Sequence, residues 1–161
     1  MDFLRIAAAC LIGITLLSGC NKEKYRDVRT ITPEHYARFD EKDAIAFIKG
    51  KPTAARTIYV FSRPDCVFCN RFEDEVKKLN DIKVLSFTVV AGKDPTVSLN
   101  KWCNYQASIG KACDEGALVR NNALAKALDV RGTPTVVFPD HQMVAGFMNA
   151  GDVEKALGGG A

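Results

Sequence analysis

Residues 57–69 read TIYVFSRPDCVFC and combine a strand pattern with two cysteines one helical turn apart. The first six residues, 57–62, are β-branched or aromatic for the most part, which is typical of a short strand. Pro64 cannot lie inside a helix, so a helix is expected to begin at about Cys66. Apolar residues then recur at helical spacing, at Phe68, Phe72, Val76 and Leu79. The stretch therefore predicts a strand that leads into a helix whose first turn carries Cys66 and Cys69.

The rest of the chain continues as strands and helices. Residues 82–90 predict a second strand, parallel to the first, because a helix joins the two in a β-α-β unit. The later elements are expected as a helical insertion over 95–116, a helix over 118–128, an antiparallel hairpin over 135–138 and 143–147, and a terminal helix from Asp152. This order predicts an α/β fold, with a mixed central sheet flanked by helices.

Cys66 and Cys69 have the spacing of a couple that cycles between dithiol and disulfide. The thiolate attacks a disulfide, and the unpaired N–H groups and dipole at a helix N-terminus favour negative charge. We therefore predict that Cys66 is the exposed nucleophile, with a pKa below that of a free cysteine, and that Cys69 is the resolving thiol. Arg63 and Arg71 would stabilise the thiolate and Asp65 would oppose it, unless all three are simply solvated charges.

Two other interpretations of this pair are open from the residues alone. A zinc site needs four ligands, and Cys103 and Cys113 would complete a four-cysteine set. The wider spacing of that second pair weighs against zinc. A purely structural disulfide between Cys66 and Cys69 would close so short a loop that it would remove little entropy from the unfolded chain. Redox chemistry is therefore the favoured interpretation.

The N-terminal segment predicts export and lipidation. Residues 1–19 contain Arg5 and an apolar run of about a dozen residues, fewer than the roughly 20 that span a bilayer. The run ends in Leu17-Ser18-Gly19-Cys20, which resembles the lipobox of bacterial lipoproteins. We expect a signal peptide over 1–19, lipidation at Cys20 and a position on the periplasmic side of a bacterial membrane. The alternative is an ordinary secretory signal with an incidental cysteine.

The remaining cysteines and the charge limit the function further. Of six cysteines, Cys10 would leave with the signal and Cys20 would carry the lipid. Four remain, and an even number in an oxidising compartment predicts two pairs. The 22 basic and 19 acidic residues leave a net charge of +3, which does not suggest a nucleic-acid partner.

From about Ile58 to Leu157 the chain resembles the periplasmic disulfide isomerases of the DsbC/DsbG type, which have a thioredoxin-like fold. The matching stretches are Tyr59 to Ser62, Cys66 to Cys69, Lys101-Trp102-Cys103 with Cys113 downstream, and Asn122 to Thr135 with its Gly132-Thr133-Pro134-Thr135. This ordered set is far more specific than the two cysteines alone.

The resemblance implies a role for each matching residue. It implies a catalytic Cys66–Cys69 couple and a structural disulfide between Cys103 and Cys113. It also implies a cis Pro134, which exposes the backbone of Thr133 to an extended substrate. Exported cysteine-containing proteins would be the substrates, a membrane oxidase or reductase the redox partner, and no cofactor would be needed.

The resembled isomerases also carry an N-terminal dimerisation domain, for which the segment before the first strand is too short. We therefore expect a monomer, with residues 20–52 as a lipid-anchored tether with short helices and residues 53–161 as the thioredoxin-like domain. The predicted function is thiol:disulfide interchange, as isomerase or oxidoreductase. The alternative is an envelope assembly factor or chaperone that uses the fold as a binding platform.

Overall fold

The computed structural model describes residues 27–90 and 95–158, without the side chains of residues 95–98. Its strands are β1 (Val28–Thr30), β2 (Ile45–Lys49), β3 (Thr57–Ser62), β4 (Ile82–Thr88), β5 (Thr135–Val137) and β6 (Gln142–Ala145). Its helices are α1 (Pro33–Tyr36), α2 (Val67–Val76), α3 (Pro95–Ser108), α4 (Glu115–Ala127) and α5 (Ala150–Ala156), with short 3₁₀ helices at Glu41–Asp43 and Ala54–Arg56.

The strands of this described part form one mixed sheet in the order β1-β6-β5-β3-β4-β2. β3 and β4 are parallel and are joined through α2. The other neighbouring strands are antiparallel. The predicted β-α-β unit, the predicted hairpin of β5 and β6, and the α/β fold class with a helix inserted after β4 are therefore confirmed.

Two edge strands lie where the sequence predicted none. Residues 45–49 are β2, hydrogen-bonded to β4, so the prediction that residues 20–52 hold only a tether and short helices is wrong for this segment. The same prediction is wrong for residues 28–30, because these form β1 beside β6. The sheet therefore begins before residue 53, the residue at which the sequence analysis placed the start of the domain.

Two apolar cores form because successive side chains of a strand point to opposite faces of the sheet. Val60 of β3 packs with Phe72 of α2 and Val153 of α5 on one face. The next residue, Phe61, packs with Leu124 of α4 on the other. The first of these cores holds α2 against the sheet, so that the start of this helix stands at the end of β3.

The predicted signal peptide over residues 1–19 and the predicted lipidation site Cys20 lie outside the described residues. In the ranges that are described, no helix combines the length and the apolar character that crossing a membrane requires.

Candidate active site

Cys66 occupies the N-cap of α2, as the sequence predicts for the residue that begins this helix. Its backbone is extended, with φ −97° and ψ 108°, and its N–H closes a turn onto the carbonyl oxygen of Arg63 at 3.2 Å. The N–H of Cys69 donates to Cys66 Sγ at 3.1 Å. A sulfur at this place faces the unpaired N–H groups of the first helical turn, which stabilise negative charge.

Cys69 lies one turn further along α2 and is bonded to Cys66 in a disulfide, with the two Cα atoms 5.2 Å apart. Its side chain is only 1% exposed, whereas Cys66 is half-buried. The two residues between them, Val67 and Phe68, are exposed. An incoming disulfide can therefore reach Cys66 but not Cys69, which is the asymmetry expected of an attacking and a resolving thiol.

The segment before β5 lies opposite Cys66. The peptide bond between Thr133 and Pro134 is cis. The carbonyl oxygen of Thr133 lies 3.4 Å from Cys66 Sγ. Neighbouring bonds hold the segment in place: Thr135 Oγ1 donates to the carbonyl oxygen of Gly132 at 2.7 Å, and the Gly146 N–H donates to that of Pro134 at 2.8 Å. The structure thus brings together the four residues for which the sequence suggested chemistry or substrate contact.

The charges near Cys66 are paired with one another. Arg63 donates through Nε and Nη2 to the two carboxylate oxygens of Asp65, at 3.1 and 3.0 Å, and Lys101 Nζ lies 3.7 Å from the same carboxylate. The hydrogen bond from Arg63 is the largest cause that lowers the pKa of Asp65, and the charge of Lys101 adds to it. Asp65, one residue before Cys66, is therefore ionised, and its negative charge offsets the positive charges of Arg63 and Lys101. Sequence reasoning missed Lys101, because only the packing of α3 brings it here.

Cys103 and Cys113 form a second disulfide, with Cα atoms 4.8 Å apart, between α3 and the segment before α4. Next to it, Trp102 is 1% exposed and its Nε1 donates to the carbonyl oxygen of Asp114 at 3.2 Å. A four-cysteine zinc site would need all four sulfurs together. Among the described residues, the potential metal ligands that lie close together as a group of three are Cys103, Cys113 and Glu115. Cys66 and Cys69 do not belong to this group.

A small polar cavity of about 50 Å³ lies beside α2, next to the loop that leads to Cys66. Its walls include the half-buried Glu73 of α2 and Tyr105 of α3, with Ser62 and Thr88 from the ends of β3 and β4. Burial raises the pKa of the Glu73 carboxyl. Burial also raises the pKa of Tyr105, and the charge of Glu73 adds to that effect. Sequence reasoning did not single out Glu73, although its helical spacing from Cys69 was a visible signal.

Both the sequence and the structure resemble known proteins. A family model described as "Thioredoxin-like domain" matches residues 44–160. A relative from Bordetella avium, named "Probable thiol:disulfide interchange protein DsbC", is 25% identical over 128 residues, which are 71% of this chain and 46% of the relative. The chain therefore spans less than half the length of this curated relative.

Two solved structures share the fold. The disulfide interchange protein from Neisseria gonorrhoeae superposes with a TM-score of 0.60 at 25% identity, over 74% of this chain and 96% of that protein. A periplasmic thioredoxin-like protein from Salmonella enterica serovar Typhimurium gives a TM-score of 0.56 at 17% identity, over 81% of this chain and 97% of that one, and supports the fold alone. Since the family model covers well over half of the residues, this chain belongs to the thioredoxin-like domain family.

Proposed function

We propose that this chain is a thiol:disulfide interchange protein that acts on exported proteins through Cys66 and Cys69. One arrangement carries the proposal: a disulfide joins the half-buried N-cap Cys66 to the buried Cys69, with the Thr133 carbonyl oxygen 3.4 Å from Cys66 Sγ. The likeness to two proteins named for disulfide interchange, each at 25% identity, supports the same chemistry.

The reaction proceeds in two exchange steps when the protein reduces a substrate. The Cys66 thiolate attacks a substrate disulfide, which forms a mixed disulfide and releases one substrate thiolate. Cys69 then attacks Cys66 Sγ, which forms the Cys66–Cys69 disulfide and releases the second substrate thiolate. The substrate gains two electrons and the protein loses them. The reverse sequence oxidises a substrate, and attack of another substrate thiol on the mixed disulfide isomerises it.

Thr133 and Pro134 dock the substrate in this proposal. The Thr133 backbone lies beside the sulfur that is attacked, so an extended substrate segment that pairs with it would present its own disulfide to Cys66. All steps use thiols of the chain and of the substrate, so they require no cofactor. Cys103 and Cys113, away from these steps, form a structural disulfide.

The cellular setting belongs to the same proposal. Removal of a signal peptide over residues 1–19 and lipidation of Cys20 would hold the protein, as a monomer, on the periplasmic side of a bacterial membrane. A membrane oxidase or reductase would reset the couple.

A trapping experiment tests the function. The purified full chain with Cys69→Ala is mixed with a disulfide-bonded protein substrate, and adducts are separated under non-reducing conditions. We expect a mixed disulfide that a strong reductant releases, because nothing resolves it, and no adduct with Cys66→Ala. The matched control, Cys103→Ala with Cys113→Ala, should turn over without accumulating an adduct.

The same variants distinguish an interchange enzyme from a protein that uses the fold only as a binding platform. If Cys66→Ala keeps the full biological function in cells, the enzyme hypothesis fails and the fold serves as a binding platform of an assembly factor or chaperone. For an active protein, equilibration with glutathione gives the direction: a reduction potential near about −120 mV indicates a disulfide donor, and one near about −270 mV a reductant.

A further inference from the structure

The N-terminal segment enters the fold at the edge of the sheet that carries the active site. β1 is antiparallel to β6, β6 to β5 and β5 to β3, so β1 begins at the edge where β3 ends. Phe61 of β3 lies opposite Thr135, and Thr135 lies opposite Ala145. The Ala145 N–H donates to the carbonyl oxygen of Asp27 at 3.0 Å. Asp27 therefore lies in the same row across the sheet as the end of β3, from which the chain leads to Cys66.

The residues next to this entry point contact the active site. Gly146 follows Ala145, and its N–H donates to the carbonyl oxygen of Pro134 at 2.8 Å. The carbonyl oxygen of Thr133, one residue before, lies 3.4 Å from Cys66 Sγ. Three strand spacings, about 14 Å, separate β1 from β3. Because one hydrogen-bonded sheet joins these strands, the entry point and the active site keep a fixed distance and direction.

The segment between the proposed lipidation site and β1 is short. Asp27 follows Cys20 by seven residues, which span at most about 25 Å when fully extended. A cysteine that carries two acyl chains is held stably at a membrane surface. β3 has six residues and is therefore about 20 Å long. The same tether at the opposite edge of the sheet would hold Cys66 about 20 Å further from the bilayer.

The C-terminal segment leaves the fold at that opposite edge. Arg56 directly precedes β3 and donates through Nη1 and Nη2 to the carboxylate oxygens of Glu154 in α5, at 3.0 and 2.6 Å. α5 ends two residues later, at Ala156. The two ends of the described fold therefore lie at opposite edges, and the N-terminal end is the one beside Cys66.

Exposed apolar side chains accompany Cys66 at its edge of the sheet. Val67 and Phe68 follow it in the first turn of α2, and Phe147 follows Gly146. All three side chains are exposed. Exposed apolar surface of this kind is typical of sites where a protein meets a partner or a membrane. The edge that the N-terminal segment enters is thus suited to a partner at the bilayer.

We propose that the lipid anchor at Cys20 holds the Cys66 edge of the sheet toward the bilayer, and that the redox partner is a membrane protein whose reactive cysteines lie at the bilayer surface. The proposal rests on the interchange function and on lipidation of Cys20. Cys66 forms a mixed disulfide with one partner cysteine, and Cys69 resolves it. The partner disulfide is thereby reduced to a dithiol as the Cys66–Cys69 couple is oxidised, and the reverse steps oxidise the partner.

The test compares anchors at the two edges of the sheet. The full chain is extracted from bacterial membranes with its lipid and reconstituted into phospholipid vesicles. Two controls contain residues 21–161 with a hexahistidine tag, either before Asn21 or after Ala161, and bind at equal density to vesicles with a nickel-chelating lipid. Cys66 and Cys69 are reduced, and Cys103–Cys113 is left oxidised.

The probe is a disulfide that cannot leave the bilayer surface. The vesicles contain phosphatidylethanolamine whose headgroup carries a pyridyl disulfide. Attack by the Cys66 thiolate joins Cys66 to the lipid and releases pyridine-2-thione, whose absorbance gives the rate. We expect the lipidated chain and the N-terminally tagged control to react about tenfold faster than the C-terminally tagged control, because their tether raises the effective concentration of Cys66 at the surface. All three forms should react equally fast with soluble dithiobis(nitrobenzoate).

Each contrary result identifies what has failed. Equal rates of the two tagged controls with the lipid disulfide overturn the proposed orientation. A full chain that is not recovered with the membranes overturns the anchor on which the orientation depends. If no form reacts with the soluble reagent, the interchange function itself is wrong.

Discussion

The sulfur of Cys66 lies 3.4 Å from the carbonyl oxygen of Thr133, a residue 67 positions later in the chain. The register of the sheet explains why these two residues lie close together. β3 and β5 are antiparallel neighbours with Phe61 opposite Thr135, so the residues that follow β3 and those that precede β5 lie at the same edge. The central strands, more than the loops themselves, therefore assemble the site.

The environment of Cys66 predicts a stable thiolate. The Cys69 N–H donates to its sulfur at 3.1 Å, and the N-terminus of α2 adds a favourable dipole. In the reduced protein we expect the thiolate to form well below about pH 8.5, the pKa of a free cysteine. The ultraviolet absorbance of the thiolate, followed against pH, measures this. Cys66→Ala should lose the low-pH transition, and a transition at the free-cysteine value would contradict the prediction.

Asp65 is predicted to make the couple less oxidising. Its carboxylate pairs with Arg63 and lies 3.7 Å from Lys101, one residue before the nucleophile. Asp65→Asn leaves both cations uncompensated and should stabilise the Cys66 thiolate. Because these side chains are partly exposed and screened, we expect the equilibrium constant with glutathione to shift only about two- to fivefold toward the dithiol. Alkylation of the equilibrated protein measures the shift.

Two substitutions serve as controls for Asp65. Arg63→Gln removes a cation and should shift the same equilibrium constant in the opposite direction. Asp74→Asn removes a carboxylate from the exposed side of α2 and should leave it unchanged. If Asp65→Asn and Arg63→Gln move the constant the same way, the charge argument is wrong.

The second disulfide is predicted to stabilise the fold without taking part in exchange. Cys103 and Cys113 are 10 residues apart, and closing such a loop contributes on the order of 2–3 kcal/mol in the chain-entropy model. Replacing both residues by serine should lower the free energy of unfolding in urea by that amount, while the trapping behaviour of Cys66 is kept. Selective reduction of this pair by a mild reductant that leaves Cys66–Cys69 oxidised would contradict a structural role.

The central elements could be predicted because their local signals agree. A β-branched and aromatic run, Pro64 and a helical apolar repeat all place the start of α2 at Cys66, and the structure does the same. The edge strands lack such signals. In β2, Ile48 is apolar but 57% exposed, so the alternation expected of a half-buried strand is hidden. β1 has three residues and exists through its pairing with β6, which no local pattern reveals.

The residues of the site likewise divide into those that the local sequence identifies and those that only the packing reveals. Cys66, Cys69, Thr133 and Pro134 were named from sequence because chemistry and motif both single them out. The contact of Lys101 with Asp65 depends on how α3 packs beside the loop, and helix packing of an insertion leaves no local mark. The cavity beside Glu73 likewise depends on the side chains that four separate segments contribute.

The raised pKa of Glu73 predicts how stability varies with pH. The Glu73 carboxyl binds its proton more tightly in the folded protein than in the unfolded chain. The contribution of Glu73 to stability is therefore full below the pKa it has in the unfolded chain, and is lost as the pH rises through the pKa it has in the folded protein. Glu73→Gln should therefore melt at a higher temperature than the wild type at about pH 7, and the two should converge in acid below about pH 4. Thermal unfolding at the two pH values measures this.

Glu75 is the matched control on the same helix, with the opposite sign. The hydrogen bond from Lys78 is the largest cause that lowers its pKa, and the Ala150 N–H also donates to it, at 3.0 Å. Glu75→Gln should therefore lower the melting temperature at neutral pH, and this loss should disappear in acid. A Glu73→Gln variant less stable than the wild type at neutral pH would contradict the burial argument. A gain limited to neutral pH would mean that burial of the charged carboxylate, which disappears on protonation, is what costs stability.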